Sequence, residues 1–222
     1  MVVLATKVYV EGDARDRALD SLRSVVNDAV GELDVTVEVG LRRDEFPSVT
    51  VEGDDAEAAR NLLREAWGEV SGSRRDGETY VGTFDSWDDD GIVLDAGEPV
   101  RIPAAELGLG PGTPSQVRER FGLVQHLPMR FVAGDPPRLA DAERDRLYGW
   151  QRGRGRVNVN SATRSEVRAT VNRAGHADDI VTVERLGLLE QSVICAEGTD
   201  PPGLLAAIGP HLRSELRCVI PE

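Results

Sequence analysis

Three arginines at alternate positions, Arg152, Arg154 and Arg156, are separated by Gly153 and Gly155. Guanidinium forks on a bendable backbone can do one kind of chemistry, the pairing of phosphate or carboxylate oxygens. Between residues 138 and 173 nine arginines face four acids (Asp141, Glu143, Asp145 and Glu166), a local charge of +5 in a chain of −13. A patch that opposes the sign of the whole protein calls for an anionic partner, most often nucleic-acid phosphate. The same arginines could equally pair with acidic surfaces of neighbouring domains, and the sequence leaves both uses open. The candidate nucleic-acid contacts are therefore Arg152, Arg154 and Arg156, with Arg164 and Arg168 four residues apart on one outer helical face. Tyr80, Phe84 and Arg101, in the strand-rich middle of the chain, complete the set.

Other chemistries leave no trace. There is no GxSxG, HExxH or Walker sequence, and Cys195 and Cys218 form no CxxC pair. His126, His176 and His211 are not spaced i, i+4, so no metal, cofactor or catalytic residue is assigned. Asp88-Asp89-Asp90-Gly91 lacks the alternate ligand spacing and distal Glu of a calcium loop and reads as a turn. The loop over residues 108–114 does not have the spacing of a nucleotide loop. A binding protein is favoured over an enzyme.

Acids number 39, and of the 26 basic residues only Lys7 is a lysine. That balance matches a protein adapted to molar intracellular salt, where the Debye length falls to about 3 Å and a negative surface serves solubility rather than partner choice. No apolar run reaches the length of a membrane span, and the first residues lack signal-peptide design, so a cytoplasmic protein with no membrane contact is expected.

The elements that must position these residues fall into three groups, an α+β, multidomain fold class. Residues 1–70 read as a βαββα layer domain. Its first strand covers residues 1–10, and its first helix repeats apolar residues at three and four residue steps from Leu19 to Leu33. Residues 78–135 read as a small OB-like β-barrel: a hairpin, a third strand, a short helix and a returning strand. Residues 136–155 read as a connecting helix and an Arg/Gly linker that is mobile without a partner. Residues 156–222 read as a ferredoxin-like βαββαβ domain, with Thr163 and Glu166 as a capping box. Its expected strand order, fourth, first, third, second, puts Cys195 and Cys218 on opposite sides of the first strand, too far apart to bridge.

Gly82, the run Gly-Ile-Val-Leu at 91–94 and the run Val-Arg-Ile-Pro-Ala-Ala-Glu-Leu at 100–107 resemble an S1-type RNA-binding barrel. The aromatic stackers such barrels carry on strands two and three are missing, which leaves Tyr80, Phe84 and Trp87 as stacking candidates. Asn158-Val-Asn-Ser-Ala-Thr163 resembles the opening of a helix-hairpin-helix module, but a strand replaces the second helix. Over its full length the chain resembles the archaeal domain-of-unknown-function family 2110 in its haloarchaeal branch, through residues 100–107, 118–124, 148–160 and 173–190. The resemblance implies no activity and no catalytic residue. The resulting expectation is an RNA-binding adaptor in translation or ribosome-related work. The alternative is a small-molecule-sensing or protein-interaction module that dimerises through its C-terminal sheet, with Gly187 and residues 200–203 near the ligand.

Overall fold

The computed structural model describes residues 1–221. The first group comprises β1 (Val2–Val3), α1 (Asp13–Val30), β2 (Thr36–Leu41), β3 (Pro47–Glu52) and α2 (Ala56–Trp67). Its antiparallel sheet is ordered β1-β3-β2. Ala18, Leu22, Val26 and Val30 recur every four residues along α1, share one face and are buried. The first strand is much shorter than residues 1–10. After a single bridge at Leu4 the chain leaves the sheet, because its side chains are claimed elsewhere. Lys7 pairs with Asp95 at 2.8 Å, Thr6 Oγ1 accepts from Leu188 N, and Tyr9 donates to Glu190.

The second group runs β4 (Thr79–Asp88), β5 (Gly91–Asp95), β6 (Pro99–Pro103), α3 (Pro114–Arg120), β7 (Pro128–Val132), β8 (Arg138–Leu139) and α4 (Asp141–Arg152). The sheet, ordered β6-β5-β4-β7-β8, curls into a half-barrel. Phe84, Phe121 and Phe131 fill it. At the hairpin turn a Cβ on Gly91 would stand 2.2 Å from the Ile102 carbonyl oxygen, so only glycine allows β5 and β6 to approach there. The acidic turn is closed by Asp90 N donating to Asp88 Oδ1.

Residues 136–155, read from the sequence as a connecting helix and linker, begin against the half-barrel. β8 adds a fifth strand to the half-barrel, and Leu147 and Trp150 of α4 are buried in its core. Period-3.6 patterning on α4 marks a buried face but cannot say which neighbour buries it.

The third group is β9 (Arg156–Val159), α5 (Arg164–Arg173), β10 (Ile180–Arg185), β11 (Gln191–Cys195), α6 (Pro201–Ile208) and β12 (Leu216–Val219), in the order β10-β11-β9-β12. Val157, Val159 and Val193 meet Val167, Val171, Leu204 and Ile208 of the two helices. The opposite face, commonly solvated in such sheets, is covered by the half-barrel domain. Asn158 Nδ2 donates to Gly122 O at 2.8 Å and Asn160 Nδ2 to Gln125 O. Glu215 accepts from Arg118 and from Gln125 N. Every residue of β9 and β11 is buried as a result.

Cys195 and Cys218 are free and flank β9 from either side. Burial pushes the Cys195 thiol up to about 11. At pH 8 the native protein should therefore resist iodoacetamide at Cys195 and react only after denaturation, as read by intact mass. Rapid native alkylation of Cys195 would contradict its packing.

Candidate nucleic-acid interface and the three-domain seam

The turn between β10 and β11 is driven into the N-terminal domain. Leu188 and Leu189, each 1% exposed, belong to the core built by α1, α2 and β3. Behind them Glu190 is completely buried. Tyr9 Oη donates to its Oε1 at 2.7 Å, while Oε2 has no partner among the described residues. Burial pushes the Glu190 carboxyl up to about 8, so it is protonated at neutral pH. Tyr9 Oη accepts from Ser161 N at 2.9 Å, and burial, then the Glu190 charge, raises its own pKa well above the ordinary value. The Tyr9 ring lies 3.8 Å from that of His126, which burial and the Lys7 charge depress to about 4.

The two residues that touch Tyr9 beside Glu190, His126 through its ring and Ser161 through its amide, are non-glycine residues at positive φ, 67° and 57°. Such conformations cost about 1–3 kcal/mol each and persist only where the surroundings over-determine them. The seam is thus closely fitted. At Gly187 an added Cβ would lie 2.2 Å from Glu190 Oε2 and 2.9 Å from Pro128. Gly187→Ala should cost about 1–3 kcal/mol through overpacking, measurable as a lower denaturant midpoint; an unchanged midpoint would mean that the seam is loose.

The same domain contact creates a groove of about 630 Å³ between α1 and α5. Thr163 and Glu166 form the capping box that starts α5. Glu166 also accepts from Arg17 Nε of α1 at 2.7 Å, which fixes the two helices side by side. Arg164, Arg168 and Arg185 line the groove with Ser21, Ser165 and one carboxylate of α1, Asp28, which pairs with none of them. Arg164 Nε donates to Val183 O, which holds the side chain across β10. Burial, and then the neighbouring Arg164 guanidinium, pulls Arg185 below the ordinary arginine range. Arg164, Arg168 and Arg185 make no ion pair among the described residues, whereas Arg17 and many other arginines do. Unneutralised guanidiniums that press on one another in a concave surface are electrostatically prepared for an anion.

The other residues singled out from the sequence do not join this groove. Arg152, the last residue of α4, and Arg154 just past it are exposed, with Arg152 Nε donating to Tyr148 O. Arg156, expected as a phosphate contact, is only 8% exposed. It bonds Ser192 Oγ and Glu184 at 3.4 and 3.5 Å, and its guanidinium lies 5.0 Å from the Trp150 ring centroid. Its β9 position faces the half-barrel domain, so it serves as a domain clamp. Phe84 is fully buried in the core of the half-barrel. Arg101 is held bidentately by Asp88 at 2.8 and 2.6 Å. Tyr80 rests near Phe131, with its hydroxyl donating to Glu78. Arg17 was missed because it reaches α5 only when the first and third domains pack together, and Arg185 because it meets Arg164 only when α5 packs on β10.

Three family models together match nearly all of the chain: the DUF2110 N-terminal domain over residues 1–73, the central domain over 74–151 and the C-terminal domain over 154–220. The chain belongs to the DUF2110 family. Its central model includes α4, in agreement with the packing of that helix into the half-barrel. No curated protein and no solved structure matches the chain. Among the described residues no helix is long and apolar enough to cross a membrane.

Proposed function

We propose that this DUF2110 chain is an RNA-binding protein that grips the phosphate backbone in the groove between α1 and α5. The observation that carries the reading is the convergence of Arg164, Arg168 and Arg185 without carboxylate partners. Backbone contacts of this kind give affinity and salt dependence with little sequence preference. Arg152 and Arg154, free on the surface, extend the basic surface beyond the groove. The half-barrel is read as OB-like, from its curled five-stranded order, and the C-terminal domain as ferredoxin-like, from the order β10-β11-β9-β12. In this reading the middle domain contributes Tyr80 rather than Phe84, and an adaptor role in translation follows only by analogy of fold.

Ultraviolet crosslinking of the intact protein to a uridine-rich single strand, followed by peptide mass mapping, tests the proposal. Adducts are expected on the peptides that carry α5 and the β10 end. Adducts confined to the half-barrel face, or none in low salt, would overturn the groove assignment. A dimer through the C-terminal sheet would have to use the edges β10 or β12, since the half-barrel domain occupies one face and the helices the other.

A further inference from the structure

A second cavity, of about 530 Å³, lies where all three domains meet, on the far side of Gly187 from the groove hairpin's buried leucines. Its walls come from the end of α2 (Trp67), the interdomain segment (Arg75), β4 (Tyr80), β7 (Arg130), α4 (Arg146) and the β10–β11 turn (Gly187). We infer that this cavity is a binding site for a small organic molecule that carries one oxyanion group and one planar ring.

The oxyanion preference follows from unequal charge pairing around Glu143. That carboxylate is completely buried, and two guanidiniums share it: Arg146 through a hydrogen bond and Arg130 at 3.7 Å. Two positive charges on one negative charge leave an excess of one at this wall, although Arg64, Arg75, Arg130 and Arg146 balance Glu65, Glu69, Glu78 and Glu143 over the cavity as a whole. Hydrogen-bond donors are also in excess. Arg146 Nη2 is used by Glu143 and by Pro128 O at 2.9 Å, but its Nε is buried with no partner. The Arg130 guanidinium makes no hydrogen bond at all among the described residues, and its side chain is half exposed. A carboxylate or phosphate oxygen pair is the group that meets adjacent guanidinium donors in their own plane.

The planar ring follows from the other walls. Trp67 is partly buried, with the Arg185 guanidinium 6.0 Å from its ring centroid. The Tyr80 ring is fixed in place by its hydroxyl, which donates to Glu78 and accepts from Arg75 N. Fixed aromatic surfaces lose little entropy when a flat ligand packs against them. The size fits as well, since small-ligand sites occupy roughly 300–1,000 Å³ and favour domain interfaces. Glu65, Glu69 and Glu78 also line the cavity. Glu69 and Glu78 are paired with Arg64 and Arg75, and Glu65 stands unpaired, so a polyphosphate would meet repulsion there.

Calorimetric titration of the full-length protein with adenosine 5′-monophosphate and with indole-3-carboxylate tests the site and separates phosphate from carboxylate ligands. Adenosine, inorganic phosphate and adenosine 5′-triphosphate serve as comparisons. At least one ring-bearing single oxyanion is expected to bind in the submillimolar range, with each comparison molecule weaker by about tenfold or more. Arg130→Gln should weaken that ligand by about tenfold with an unchanged melting temperature, because Arg146 still neutralises Glu143. Arg164→Ser with Arg168→Ser should leave it unaffected, which separates this site from the RNA groove. Silence from both ring-bearing probes at millimolar concentration would overturn the inference, and so would undiminished binding in the Arg130→Gln protein.

Discussion

Glu190→Gln is expected to make the protein more stable than the wild type in alkaline solution, by on the order of 4 kcal/mol between pH 5 and pH 9. The carboxyl titrates near 4.3 in an unfolded chain and at about 8 in the folded one, where burial opposes its charge. Between those two values the folded state holds a proton that the unfolded state has released. Wild-type stability must then fall as pH rises through this window and level off above it. Glutamine keeps an acceptor for the Tyr9 hydroxyl, cannot ionise, and removes the slope. His126 acts in the opposite direction. Its folded value of about 4 lies below the ordinary 6.5, so the folded state resists protonation and stability is lost as pH falls through that interval. The variant should therefore retain its acid limb while losing the alkaline one. Urea denaturation at a series of pH values separates the two limbs, and parallel wild-type and variant curves would show that Glu190 does not govern the alkaline side.

Replacing Arg164, Arg168 and Arg185 together by serine should lower the slope of log affinity for single-stranded RNA against log salt by about 2 units, at roughly 0.7 per lost phosphate contact. The variant should fold normally, because none of the three is engaged in an ion pair among the described residues. Arg101→Ser is the matched control. Asp88 already occupies both branches of that guanidinium, which holds the carboxyl down to about 2, so the change should leave the slope alone. An unaltered slope in the triple variant, measured by fluorescence anisotropy from low to near-molar salt, would remove the groove from consideration. A slope that falls only in Arg152→Ser with Arg154→Ser would move the contact to the end of α4.

Arg156 illustrates how the two uses of arginine that the sequence left open are divided in the folded chain. The basic run from residue 138 contains both paired and unpaired arginines. Arg146 and Arg156 bracket Trp150 and neutralise Glu143 and Glu184, whereas Arg164 and Arg168 remain free for a partner. Spacing could not make this division. Alternation along β9 puts Arg156 on the face opposite Val157, and that face would be solvated in an isolated domain. It is buried here because the half-barrel domain lies against it.

By itself the sequence determined what depends on neighbours along the chain. The helical period of α1, the capping box at Thr163 and the βαββαβ succession of the last domain all rest on interactions within a few residues. The acidic turn before Gly91 was legible for the same reason. Tertiary structure decided everything that depends on which surfaces meet. It turned the side chains of Thr6, Lys7 and Tyr9 toward the other two domains, and it placed α4 in the half-barrel core. It also brought Arg17 and Arg185 beside Arg164, and closed Tyr9, His126, Ser161 and Glu190 into one buried network. Those residues are separated by up to 181 positions. Local periodicity carries no information about such pairs, because their contact arises only when the apolar faces of three separately patterned domains are buried against one another.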